Sequence, residues 1–356
     1  ENATTELPPA DIDDLGPIVG KMYRTNDKSP GQYDQNDHGN AKHFVELFGD
    51  DVKYVDSRQS WTLWDGERWH KDTGEKLASR AFSVVEKRQK QFSSTLPRDD
   101  AGSIKFAEGW RKWGLRSGNA VQIKNALTLA KTLYYEERPI AMSGREFDAK
   151  PGLLGCENGI LVLSDNPILR HARKDDYVTF NTNVPYIPWD TQSAHDTGNL
   201  EGFKLWQDYL DTFLPDEKLR HFIQKVMGHL IIGENPEKLL VFVYGPHDTG
   251  KSTMLGGIGS ALGDYFGTVD ANLFKNRDLN PNLIRAVPLR VAGMSEIDGT
   301  RLDASMVKRL TGNDRVTAEA KFSNEIFEGR PQFTTVIACN SEPNIANADE
   351  AVQERI

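Results

Sequence analysis

The 356 residues are enough for roughly two or three domains, and acidic residues outnumber basic ones 52 to 43, for a formal charge of -9. That balance excludes a histone-like or broadly basic coat on nucleic acid, although a channel lined by local positive charge needs no overall excess. With 38% hydrophobic and 27% charged residues the chain can build ordinary cores; no window approaches about eighteen consecutive apolar residues, so no membrane span is expected.

Residues 1–39 are rich in Asp, Pro, Gly and Asn and read as a linker or tail. The stretch Glu1 to Asp14 is polar and acidic, unlike a signal or transit peptide, which leads to the expectation of a cytoplasmic protein. From Asn40 a smaller α+β domain is expected, over residues 40–190. Ala41 to Phe48 reads as a short amphipathic helix, and Trp61 to Trp69 as a hairpin turning at Asp65-Gly66 in a type I′ turn. The tryptophans are read as cross-strand packing, with base stacking as the other use open to them. Helices follow over about Glu75 to Phe92 and Ile104 to Glu137. The second carries Lys105, Arg111, Lys112, Arg116, Lys124 and Lys131, a solvated face or a guide for DNA. Between Phe147 and Asp190, runs such as Asn158 to Leu163 and Tyr177 to Phe180 suggest a small β element closing this domain.

A polar linker over Asp190 to Asn199 separates this region from a helical collar at 200–235, where Leu205, Tyr209, Phe213 and Phe222, Val226, Leu230 keep apolar helical spacing. The two cysteines, Cys156 and Cys339, lie far apart in apolar contexts and are read as buried thiols rather than a disulfide or zinc site.

The chemistry is concentrated in residues 236–356, which read as an α/β core. The β-branched run ending at Tyr244 leads into Gly245, Pro246, His247, Asp248, Thr249, Gly250, Lys251, Ser252 and Thr253, and then a helix to Leu262. A strand, a glycine loop and a helix opening on Lys-Ser form the P-loop context for nucleotide binding. Loop N–H groups and the positive helix end cradle phosphates, Lys251 reaches the β and γ phosphates, and the Ser252 hydroxyl holds Mg²⁺. Thr253 belongs to the opening of the helix.

A second strand, Leu289 to Met294, leads to Glu296 and Asp298. Open α/β sheets place ligand sites at such strand ends, and the period of two puts both carboxylates on one face. Glu296 is the candidate for the magnesium and attacking-water shell, with Asp298 beside it. A third strand, Phe333 to Cys339, ends at Asn340, whose amide suits the γ-phosphate or the lytic water. Between acid and amide, Asp303 reads as an N-cap and Gly312 as a helix stop. Val316 to Ala320 and Ile326 to Phe327 then flank Lys321 and Phe322, a hairpin tip with a cation for phosphate and a ring for a base.

The block Val307 to Asp314, with Gly245 to Thr253, Ser295 to Asp298 and Ala338 to Asn340, closely resembles superfamily 3 helicases of the phage and plasmid primase type, a group that includes the poxvirus primase-helicase. The region before it, through Phe44 to Trp69 and Leu154 to Leu161, is similar to the domain that precedes the helicase in that family. The resemblance implies an AAA+-like P-loop NTPase core behind the smaller α+β domain and the collar. It also implies a ring, usually a hexamer, that hydrolyses ATP with Mg²⁺ and moves on single-stranded or forked DNA. In that family Lys251, Ser252, Glu296 and Asn340 would build one side of the ATP site, and Lys321 and Phe322 would match the DNA-contacting hairpin. Arg355 falls at the arginine finger that reaches a neighbouring subunit. The expected core stops one residue past that arginine, and Glu354-Arg355 stands where relatives often carry paired arginines. A primase-polymerase domain often lies ahead of this region, but no acidic cluster for primer synthesis is found here. A phage, prophage or plasmid replication protein working in a bacterial host cytoplasm is the resulting expectation. An ATP-dependent loader or scaffold without unwinding, and a small-molecule phosphotransferase, are the rival readings.

Overall fold

The computed structural model describes residues 33–95, 101–188, 200–274, 283, 286–295, 302–312, 314–319, 326–341, 345–346 and 349–356. These fall into two compact units, one up to Leu63 and over Lys71–Ser143, the other over Trp64–His70 and Gly144–Ile356.

In the first unit, helix α1 (Asp37–Phe48) opens on Asn36, whose side chain accepts the Gly39 N–H at 2.8 Å, satisfying one of the orphan donors of a helix start. Ala41, Phe44, Val45 and Phe48 recur at helical spacing and enter the core. Strand β1 (Val52–Val55) pairs antiparallel with β2 (Ser60–Trp64), while β3 (Trp69–Lys71) forms the return of the hairpin. The hairpin lies where Asp65-Gly66 is read, but its turn is not type I′. Gly66 has φ 111 while Asp65 keeps negative φ; Asp65 Oδ1 instead accepts the N–H groups of Glu67 at 2.9 Å and Arg68 at 2.8 Å. The side chain thereby holds the turn as an Asx turn.

Helices α2 (Glu75–Thr95), α3 (Ala101–Ser117) and α4 (Ala120–Ala130) follow. The single helix expected over 104–137 is broken, because Asn119 adopts φ -70, ψ 147 and starts α4 in a new direction. After Ala130 the chain leaves the helix altogether for β4 (Tyr134–Tyr135) and β5 (Arg138–Pro139), antiparallel around Glu136 and Glu137 at φ 45 and 66. β6 (Ala141–Met142) then pairs parallel with β1. Lys105, Arg111, Lys112, Arg116 and Lys124 are solvent-exposed, whereas the Lys131 ammonium sits 3.6 Å from the Tyr54 ring centroid.

The second unit begins with an antiparallel meander of β7 (Leu153–Cys156), β8 (Gly159–Val162) and β9 (Ile168–Arg170). Trp69 is buried, donating from Nε1 to the Lys174 carbonyl at 2.9 Å and stacking on Tyr177. In the first unit Trp61 is buried in the core beside Phe44, so packing accounts for both rings. Helices α5 (Leu200–Phe213) and α6 (Glu217–Leu230) precede β10 (Leu240–Tyr244), α7 (Lys251–Leu262), β11 (Phe266–Thr268) and β12 (Val291–Ser295). Then come β13 (Leu302–Asp303), α8 (Ala304–Thr311), the antiparallel pair β14 (Val316–Glu319) and β15 (Ile326–Gly329), β16 (Thr334–Cys339), β17 (Ile345–Ala346) and α9 (Glu350–Gln353). Asp303 caps α8 as expected, accepting from Met306 N at 3.0 Å.

Strands β10, β16, β12 and β11 form a parallel sheet in that order, and the chain is a mixed α/β protein. All six residues of β16 are buried, as expected where both sheet faces are covered. Its alternate residues serve opposite cores: Ile337 and Cys339 join one cluster, Val336 and Ala338 the one beneath α7. Both cysteines are buried and free, and burial pushes the Cys156 thiol up.

Candidate nucleotide site

Parallel pairing aligns the C-terminal ends of three strands. Tyr244, the last residue of β10, stands opposite Cys339 of β16, and Ser295 of β12 stands opposite Ala338. The loop 245–250, Asn340 and the Ser295 end of β12 therefore lie at the same edge of the sheet. In sequence the order is loop, acid, amide; in space β16 lies between the other two, so Asn340 occupies the middle. Parallel α/β sheets gather ligand groups at this edge.

The loop has the backbone irregularity that phosphate cradles require. Gly250 caps α7 at φ 78, ψ 3 and Asp248 stands at φ 60, alternations that turn successive N–H groups toward one concavity. The first turn of α7 adds N–H groups that lack intrahelical acceptors and carries the positive helix end. Pro246, His247, Asp248 and Thr249 are exposed, and Thr249 Oγ1 donates to the Pro246 carbonyl at 2.9 Å. The Lys251 ammonium is folded back on this loop, donating to the Gly245 carbonyl at 2.8 Å and to the Pro246 carbonyl, with Thr249 Oγ1 at 3.3 Å. A phosphate would offer that ammonium stronger, charged acceptors at nearly the same place.

Ser252 and Thr253 are exposed on the first turn of α7. Ser252 shares a cleft of about 430 Å³ with Ser295, floored by Gly256, Gly259 and Gly293. Ser252 and the end of β12 thus line one space. Glu296 and Asp298 themselves, and Lys321 and Phe322, lie outside the described residues. Among the described residues no group of three or more His, Cys, Asp or Glu side chains is arranged to hold a metal.

Arg355 is engaged within its own chain. Its Nε donates to Thr311 Oγ1 at 3.1 Å and its Nη1 to the Ala351 carbonyl, while its main-chain oxygen accepts from Leu240 N at 2.6 Å, at the start of β10. Reaching a neighbouring subunit would require the guanidinium to leave Thr311 and Ala351.

Two aromatic residues that helical spacing marks only as apolar also touch the loop. The Tyr209 hydroxyl donates to the Gly250 carbonyl at 2.9 Å, with burial pushing its pKa up. A Cβ on Gly250 would come 2.9 Å from Phe213 Cγ. The signal was the i, i+4 pair in α5, but nothing in the spacing says what that face meets.

Among the described residues no helix is long and apolar enough to cross a membrane. Compared with known proteins, residues 41–215 match the D5 N terminal like family and residues 243–355 match a family of unknown function, DUF5906. The chain is 27% identical over 218 residues to "Putative helicase L207/L206" of Acanthamoeba polyphaga mimivirus, covering 60% of this chain and 22% of that protein. It is 25% identical over 237 residues to "Uncoating factor OPG117" of Vaccinia virus (strain Western Reserve), covering 64% and 30%. The matches thus span less than a third of the length of these curated relatives. Among solved structures, the NrS-1 C-terminal region aligns with a TM-score of 0.42 at 12% identity, over 89% of this chain and 59% of the other. The D5 N-terminal-like match, supported by the helicase-named viral relatives and the poxvirus uncoating factor, shows that residues 41–215 form a D5-like N-terminal domain.

Proposed function

We propose that the chain is the ATP-hydrolysing motor of a D5-like replication helicase, moving on single-stranded DNA as a ring, with an AAA+-like P-loop core over residues 236–356. The observation that carries this reading is the convergence of the glycine loop, Asn340 and the β12 end on one sheet edge. The names of the viral relatives, among them two further proteins called "Putative helicase", support the same activity.

In this reading the loop amides and the α7 N-terminus receive the β and γ phosphates. Lys251 exchanges the Gly245 and Pro246 carbonyls for phosphate oxygens. Ser252 and Glu296 would hold Mg²⁺, which would supply positive charge against the charge that develops on the transferred phosphate. Glu296 orients the attacking water with Asp298 beside it, and Asn340 holds the γ-phosphate from the central strand. Arg355 is released from Thr311 and Ala351 to stabilise the transition state in an adjoining subunit. Lys321 and Phe322 grip the polynucleotide by its phosphates and bases, without sequence discrimination. The hexameric ring, the single-stranded or forked DNA partner and a primase-polymerase domain elsewhere in the whole protein belong to this proposal.

ATP-dependent strand displacement on a forked duplex tests it. Displacement that is lost in Lys251→Ala is the expected result. ATP hydrolysis and DNA binding with no displacement would replace the motor with a loader or scaffold.

A further inference from the structure

Helix α5 carries Trp206, Tyr209 and Phe213 as a ladder. Trp206 and Tyr209 stack with centroids 5.1 Å apart at 21°, and Tyr209 and Phe213 lie 5.1 Å apart at 39°. The ladder runs along α7 toward its N-terminus. Trp206 abuts Gly257, where a Cβ would come 2.9 Å from Cζ3, while Tyr209 and Phe213 abut Gly250. Glycine at both places lets the rings approach the backbone itself.

The ladder ends in the open. Tyr209 is partly buried, but Phe213 is 41% exposed. Its ring is therefore packed on one side against the residue that caps α7 and is wet on the other. An exposed aromatic face is sticky in water and is a preferred surface for another flat ring, in an offset stack. Every nucleobase offers such a π-face, so a stacking platform gives affinity with little discrimination between bases. A nucleoside whose phosphates lie on the loop amides carries its base only one ribose away from them.

We propose that the exposed face of Phe213 is the stacking platform for the base of the nucleotide whose phosphates lie on the 245–251 loop. The inference rests on the phosphate-binding reading of that loop and adds the residue that recognises the nucleoside half. The phosphate half is served by amides and Lys251, so the two halves are separable by experiment.

The test is calorimetric titration of the full chain, with Mg²⁺, using a non-hydrolysable ATP analogue and inorganic tripolyphosphate. The wild type is expected to bind the analogue about tenfold or more tightly than tripolyphosphate, the scale of one base–aromatic stack. Phe213→Leu keeps an apolar contact on Gly250 but removes the ring, and should erase most of that margin while leaving tripolyphosphate binding unchanged. Phe213→Trp should keep the margin. Retained tripolyphosphate binding in each variant also reports that the loop is folded. A leucine variant that preserves the margin, or that weakens both ligands equally, overturns the platform. A wild type that binds both ligands equally overturns the platform alone, and one that binds neither overturns the phosphate loop and the platform with it.

Discussion

Arg290 Nη2 donates to the Leu153 carbonyl at 3.0 Å, tying the residue before β12 to the first residue of β7. The same nitrogen bonds the Pro151 carbonyl at 2.9 Å, and Nη1 bonds Gln332 Oε1 at 3.1 Å. Gln332 in turn donates to the Asp148 carbonyl at 2.7 Å. Arg290 is 2% exposed, and burial depresses its pKa. Replacing it with Ala leaves buried carbonyls without donors, so Arg290→Ala should cost about 3–5 kcal/mol. Arg290→Lys should recover only part of this, because one ammonium cannot reproduce the planar fork. Urea unfolding measures both; a loss below about 1 kcal/mol for Arg290→Ala would contradict this role.

That arginine also explains a limit of sequence reading. The β-type run from Asn158 to Leu163 makes β8 legible, but composition groups the β7–β8 hairpin with the residues before it. Its tie to the parallel sheet runs through a buried charge that pattern reading assigns to the surface. The strand–loop–helix unit around Gly245 to Leu262 is local and was readable; the position of β16 between β10 and β12 is a non-local pairing that no periodicity encodes. The break at Asn119 leaves no mark in the spacing, because the apolar period resumes in α4. Phe213 looked like core spacing because its neighbour, Gly250, is remote in sequence.

Gly250 combines φ 78 with rings packed where a side chain would go, 2.9 Å from Phe213 Cγ and 3.1 Å from Tyr209 Cε2. Gly250→Ala should therefore destabilise the protein by about 1–3 kcal/mol and weaken tripolyphosphate binding. Unfolding curves paired with titration check this, and an alanine variant with unchanged phosphate affinity would show that the loop tolerates the shift.

Asp176 is held by Arg170 in a bidentate pair, at 2.7 and 2.8 Å, and accepts the Arg173 N–H at 2.8 Å. Burial alone would raise its pKa, but these hydrogen bonds and the Arg170 charge outweigh it, and the net direction is down. A depressed folded-state pKa contributes stability that is fully present above the unfolded value of about 3.9 and is lost as pH falls through the folded value. Asp176→Asn should thus be less stable than wild type by about 1–3 kcal/mol near neutrality, with the gap closing in acid. A gap that stays constant as pH falls below the unfolded value would contradict the linkage.

For Arg355→Ala, a residue acting across a subunit boundary at the transition state should lower the rate of ATP turnover by about 10³-fold while nucleotide binding survives. Steady-state kinetics with a separate binding titration distinguish this from its present contacts to Thr311 and Ala351. Equal loss of binding and turnover would place the residue in its own chain's site instead.

The most direct test of the central claim is the rate of ATP hydrolysis measured with and without single-stranded DNA, in wild type and in Lys251→Ala. The account predicts hydrolysis that rises when DNA is added and disappears in the lysine variant. Equal rates with and without DNA, or a lysine variant as active as wild type, would contradict a nucleic-acid-coupled motor built on the 245–251 loop.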